Sequence, residues 1–184
     1  MAKNALILSL FLSLSLFLSS CKKDSVEADE DNELITTVKL NFTAGATTQT
    51  FTFSDPDGDG GKASIKFETI ALKPNTTYAM TIELFDESKM PIVNISNEVS
   101  KERDEHLFVY TPSMPSLLTY TYGDKDSRNF NFGLMGSVKT GAAATGKLKV
   151  QLRHQPPISG KAVKDGTVTP GSDDINLDFN LTIQ

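Results

Sequence analysis

His106 and His154 are the two imidazoles of a 184-residue chain, and their surroundings differ. His154 is in phase with Leu148, Val150 and Leu152, so it ends an inward-facing row of a period-two segment. His106 follows Glu102, Asp104 and Glu105 where a polar segment gives way to an apolar one. Neutral imidazoles and carboxylates are zinc ligands. If these two places meet in space, His106 and His154 with Glu102 or Glu105 compose a metal centre. The same imidazoles could ligate a haem iron axially. Neither histidine has a partner at a local spacing such as HxH, so a pair of hydrogen-bonded, buried histidines is the competing reading.

A second constellation is Asp55-Pro56-Asp57-Gly58-Asp59-Gly60. Alternate aspartates followed by glycine supply the hard oxygens and the sharp turn that Ca²⁺ takes. The twelfth position from Asp55 is Lys66 rather than glutamate, and no helices flank the run, so it is not an EF-hand. A calcium-bound hairpin loop using Asp55, Asp57 and Asp59 stands beside a plain turn, for which Asp, Pro and Gly are equally suited. Tyr110, Tyr120 and Tyr122 could form a ligand platform or serve as cross-strand partners. The chain has no GxSxG, HExxH, phosphate-binding glycine loop or CxxCH, and a non-enzymatic role is expected.

Cys21 is the single cysteine. It follows Leu18-Ser19-Ser20, an apolar run from Leu6 to Leu18 and a basic start at Lys3. This is the pattern of a secretory signal, and a cysteine directly after the small residues resembles a bacterial lipobox. Residues 1–20 then form the signal peptide, and Cys21 becomes the acylated mature N-terminus. Ala5 to Leu18 is shorter than the roughly 20 apolar residues that span a bilayer. Acylation would leave no thiol for a disulfide or for metal. Residues 21–33 carry Glu27, Asp29, Glu30, Asp31 and Glu33 and read as an acidic tether. Lys23-Asp24 is similar to a surface-export signal of Bacteroidota lipoproteins, with Ser25 and Val26 interrupting it. The cell surface and the periplasmic face of the outer membrane both stay open as the location.

Loss of Lys3 with the signal leaves 17 of 18 basic residues against 23 acidic ones, a net charge near −6. Nucleic acid, which demands a basic footprint, is not an expected partner.

The elements that must position these residues are strands. Ile175, Leu177, Phe179, Leu181 and Ile183 alternate with polar residues. So do Leu148, Val150 and Leu152; Val38, Leu40 and Phe42; Phe51 and Phe53; Ile65 and Phe67; and Tyr78, Met80, Ile82 and Leu84. Phe130 to Val138, Leu107–Tyr110 and Leu117–Tyr122 add shorter candidates. About nine strands with alternating faces predict an all-β, antiparallel β-sandwich (immunoglobulin-like or related) over residues 34–184. Lys73-Pro74-Asn75 reads as a tight turn, and Thr140 to Gly146 as a hairpin loop. Ser96 to Glu105 reads as one short inserted helix capped by Ser96, and Gln155 to Asp173 as a long loop.

Glu33 to Val38, Asp55 to Gly61, Asp104-Glu105-His106, Thr140 to Ala143 and Leu152 to Pro156 together resemble a family of small Bacteroidota lipoproteins over most of residues 21–184. Members are often labelled as having a type 1 periplasmic binding fold, an architecture of alternating βα units that needs far more residues. The period-two strands here imply a sandwich instead. The resemblance implies a membrane partner through the lipid anchor and a TonB-dependent receptor as neighbour. The expected role is ligand binding or accessory uptake of a nutrient or metal, zinc or haem. The alternative is a structural or adhesive surface module stiffened by calcium.

Overall fold

The computed structural model describes residues 34–57 and 63–184. The signal, Cys21 and the acidic run lie outside the described residues.

The described residues form two β-sheets and one short helix. The first sheet holds β1 (Thr37–Ala44), β2 (Thr47–Ser54), β3 (Lys66–Phe67), β5 (Thr77–Asp86), β6 (Val93–Asn94), β8 (Leu118–Tyr122) and β9 (Met135–Thr140). Its strand order is β3-β2-β1-β5-β9-β8, with β6 paired to the far end of β5. The second sheet holds β4 (Ile70–Leu72), β7 (His106–Pro112), β10 (Ala144–His154) and β11 (Ser172–Ile183), in the order β4-β11-β10-β7. All pairings are antiparallel except β4 with β11. The all-β sandwich expected from alternation is what forms.

The buried faces are the alternating rows of the sequence. Val38, Leu40 and Phe42 of β1 and Met80, Ile82 and Leu84 of β5 share a core with Leu148, Val150 and Leu152 of β10 and Phe179 and Leu181 of β11. Phe67 meets Phe179 edge-on at 4.9 Å between ring centroids, joining the two sheets. Burial of these rows is the main stabilising term of such a fold.

Four expectations need correction. Thr140 to Gly146 is not a hairpin, because β9 and β10 belong to different sheets. Gly141 carries the chain across so closely that a Cβ there would lie 2.0 Å from the Ser116 carbonyl oxygen. Phe130 to Leu134 is not a strand. Asp124 accepts the Gly133 and Met135 amides, and Asp126 accepts those of Arg128 and Phe130, so the chain curls around two carboxylates. The helix α1 (Ser96–Lys101) stops short of Glu105, and Ser96 does not cap it. Its hydroxyl instead accepts the Leu84 amide at 2.7 Å, fastening the helix to β5. The short strands β4 and β6 carry too few residues to show a period in sequence.

Candidate metal centre

The pairing of β7 with β10 places His154 directly opposite His106. Both are buried, at 6% and 4% exposure. Their rings stack with centroids 4.7 Å apart and planes 7° from parallel. The two imidazoles that sequence places at the ends of distant segments are therefore neighbours.

The acidic partner is not one of the glutamates. Among the described residues, the group able to hold a metal is His106, His154 and Asp174, each offering one ligand atom within 4.8 Å of the others. Asp174 Oδ2 lies 3.6 Å from His106 Nε2, and Asp174 Oδ1 lies 3.9 Å from His154 Nδ1. A register shift puts Asp174 there. Leu152 pairs with Ile175, but Arg153 pairs with Asp173, so Asp174 is the extra residue of a β-bulge. Bulges re-aim side chains. Strict alternation from Asn176 and Asp178 would have put Asp174 on the wet face. Instead Asp173 takes that face, where it accepts from Arg153 at 2.6 Å, and Asp174 turns in beside the histidines.

Glu102 and Glu105 take part through their backbones, and Glu102 adds its negative charge. The Glu102 carbonyl lies 3.1 Å from His106 Nδ1. With Nδ1–H donating to it, Nε2 is the nitrogen left to face Asp174 or a metal, a usual outer-shell arrangement for a ligating histidine. The Glu105 carbonyl accepts the Gln155 amide at 2.6 Å, extending the β7–β10 ladder past the histidines. Burial alone would push the His106 pKa down. The Asp174 carboxylate and the Glu102 carbonyl outweigh it, and the net shift is upward.

Asp174 Oδ1 is buried and has no hydrogen-bond partner. The Asp174 side chain as a whole is 7% exposed. A buried carboxylate oxygen left unpaired costs more than an ordinary lost hydrogen bond, and a cation is its natural complement. Asp174 also lines a cleft of about 250 Å³ with Ile35, Val38, Phe53, Asp55 and Leu177.

The other candidate groups fall elsewhere. Asp55 follows β2, donating its amide to the Thr36 carbonyl at 2.7 Å, and lines the same cleft. Asp57 stands in the turn that follows; Asp59 lies outside the described residues. The tyrosines tie loops together: Tyr110 and Tyr120 both donate to the Gly133 carbonyl, and Tyr122 to that of Phe108. Burial, with the nearby Asp124 carboxylate second, pushes the phenol pKa of Tyr122 upward.

The long loop before β11 holds a cation that sequence reading passed over. Lys164 is fully buried, with Nζ 3.0 Å from Asp126 Oδ2 and donating to the Arg103 carbonyl at 2.8 Å. It fastens the loop to the segment that leads into His106. Gln155 holds the loop from the other side, donating to the Thr167 and Pro170 carbonyls.

No protein-family model, curated protein or solved structure matches this chain.

Proposed function

We propose that the protein is an outer-membrane lipoprotein, anchored through acylated Cys21, whose sandwich domain binds a divalent cation, foremost Zn²⁺, at His106, His154 and Asp174. The role is non-enzymatic capture of the ion, in the service of an uptake receptor of the TonB-dependent class. The observation that supports this reading is the buried Asp174 Oδ1, which accepts no hydrogen bond, beside two imidazoles.

Zinc bonds of 2.0–2.1 Å set tetrahedral ligand atoms about 3.3 Å apart. The three donor atoms lie within 4.8 Å of one another, so an ion must draw them together by up to about 1.5 Å to reach that spacing. Two histidines and one carboxylate leave a fourth position open to water or another ligand, unlike a closed structural site. A porphyrin is a poorer match. Axial histidines point end-on at an iron from opposite sides, whereas these rings lie face to face and buried.

The test is calorimetric titration of chelator-stripped protein with Zn²⁺. His106→Ala, His154→Ala and Asp174→Asn should each weaken binding at least about tenfold, the usual size of a lost ligand or its support. Glu102→Gln and Glu105→Gln should leave it unchanged at a pH where His106 is neutral. Full affinity in Asp174→Asn would sink the centre, and haemin that develops a histidine-ligated Soret band would restore the haem reading.

A further inference from the structure

We propose that the end of the sandwich where the chain enters carries an apolar tip that rests in the bilayer to which Cys21 is anchored. The inference builds on the lipid-anchor reading but not on the metal centre.

Three segments converge at this end of the first sheet. The Thr36 amide donates to the Phe85 carbonyl, the Asp55 amide to the Thr36 carbonyl, and the Ile65 amide to the Ser54 carbonyl. On these segments stand Leu34, Ile65, Met90 and Ile92, exposed at 44%, 74%, 91% and 54%. Across the described residues nine large apolar side chains are exposed, and these four share one end of one sheet. The opposite end turns through Ala44, Gly45, Ala46 and Thr47, and Met114 is the large apolar residue exposed there. Single exposed apolar residues are ordinary, but clustered ones mark a binding surface.

The loop bearing Met90 and Ile92 is held from its base. Asp86 is fully buried, accepts from the amide and hydroxyl of Ser88, and pairs with Lys89 at 3.2 Å. The Glu87 amide donates to the Thr36 hydroxyl oxygen. The apolar side chains are thus presented outward by a loop tied to the buried Asp86 carboxylate, with Lys89 65% exposed.

What covers them follows from chain length. Thirteen steps join Cys21 to Leu34, and at 3.3–3.6 Å per residue that span is at most about 45 Å. The residues beside Leu34 are therefore where the anchored segment joins the domain. Tethering at such range gives an effective concentration of about a millimolar, so a few interfacial side chains suffice to seat the tip.

The chain has no tryptophan, so Met90→Trp, and separately Ile92→Trp, each introduce a sole reporter. Full-chain lipoprotein carrying either would be reconstituted into phosphatidylethanolamine–phosphatidylglycerol vesicles, with Met114→Trp and Cys21→Ser as references. Acylation is checked by intact mass and flotation. The expected result is a blue-shifted emission from the Met90→Trp and Ile92→Trp proteins, with most of it lost to shallow-brominated lipid, while the Met114→Trp protein shows neither. Unshifted, unquenched emission from both tip variants on acylated, floating protein would overturn the tip. A blue shift that arises without lipid as protein concentration rises would assign the surface to a second copy and overturn the bilayer. Unacylated protein that stays in solution would refute the anchor, and the tip's partner with it.

Discussion

Removing the buried ammonium of Lys164 is the most informative perturbation of stability. Its Nζ and the Asp126 carboxylate are both fully buried and 3.0 Å apart. Burial presses the lysine pKa downward, and Asp126 works against that. Lys164→Met keeps the length of the stem and removes the ion pair together with the hydrogen bond to the Arg103 carbonyl. Breaking one side of a buried pair costs about 3–5 kcal/mol, because the other charge is left behind. Here Asp126 keeps the amides of Arg128 and Phe130 and the Arg128 guanidinium at 3.8 Å. The loss should therefore fall at the lower end, about 3 kcal/mol. For a domain of this size that is a fall in Tm of about 6–12 °C. Urea unfolding gives the free energy, and hydrogen exchange should show faster opening across 155–171 and at Arg103–Glu105. A stability loss below about 0.5 kcal/mol, the level of an ordinary surface change, would refute the claim that this pair fastens the loop.

Two further outcomes concern the histidine end. His106 has a raised pKa in the fold, so its protonation adds stability that is fully present below the unfolded value near 6.5 and is lost as pH rises through the folded value. Metal-free protein should therefore lose stability as pH climbs past about 6.5, and His106→Gln should flatten that slope; an unchanged slope would show that another group titrates. Gly171 has φ of +77°, and a Cβ there would lie 1.8 Å from the His154 carbonyl oxygen. Gly171→Ala should cost roughly 2–3 kcal/mol and weaken Zn²⁺ binding by shifting His154. Gly160→Ala, with φ of +73° and open space around it, should cost only the strain of about 1–2 kcal/mol and leave binding alone.

Period two revealed the fold because both sheets bury one face, so Leu148, Val150 and Leu152 announce themselves against Lys147, Lys149 and Gln151. It also put His154 on the inner row, where it lies. The same rule hid Asp174. A bulge shifts every side chain beyond it by one face, and two adjacent aspartates after Gly171 do not say which of them turns in. Phe130 to Leu134 misled for a related reason: apolar alternation there serves a loop wound on Asp124 and Asp126, whose amide bonds compete with strand pairing. Lys164 was invisible because its partner is 38 positions away by number and neither residue belongs to a strand.

Protons and metal compete for the same atoms at this end of the molecule. With Nδ1 of His106 committed to the Glu102 carbonyl, a proton on Nε2 and a cation are alternatives for the space facing Asp174. The upward shift of His106 means the proton is held more firmly than in free imidazole, so metal entry must expel it over a wider range of pH. Affinity for Zn²⁺ should consequently rise with pH until His106 is neutral in the free protein, then level off. Glu102 raises the His106 pKa through its charge as well as its carbonyl, so Glu102→Gln should move that plateau to lower pH without changing its height. A plateau that drops in height instead would mean that the Glu102 carboxylate reaches the ion, and the ligand set would have to be redrawn.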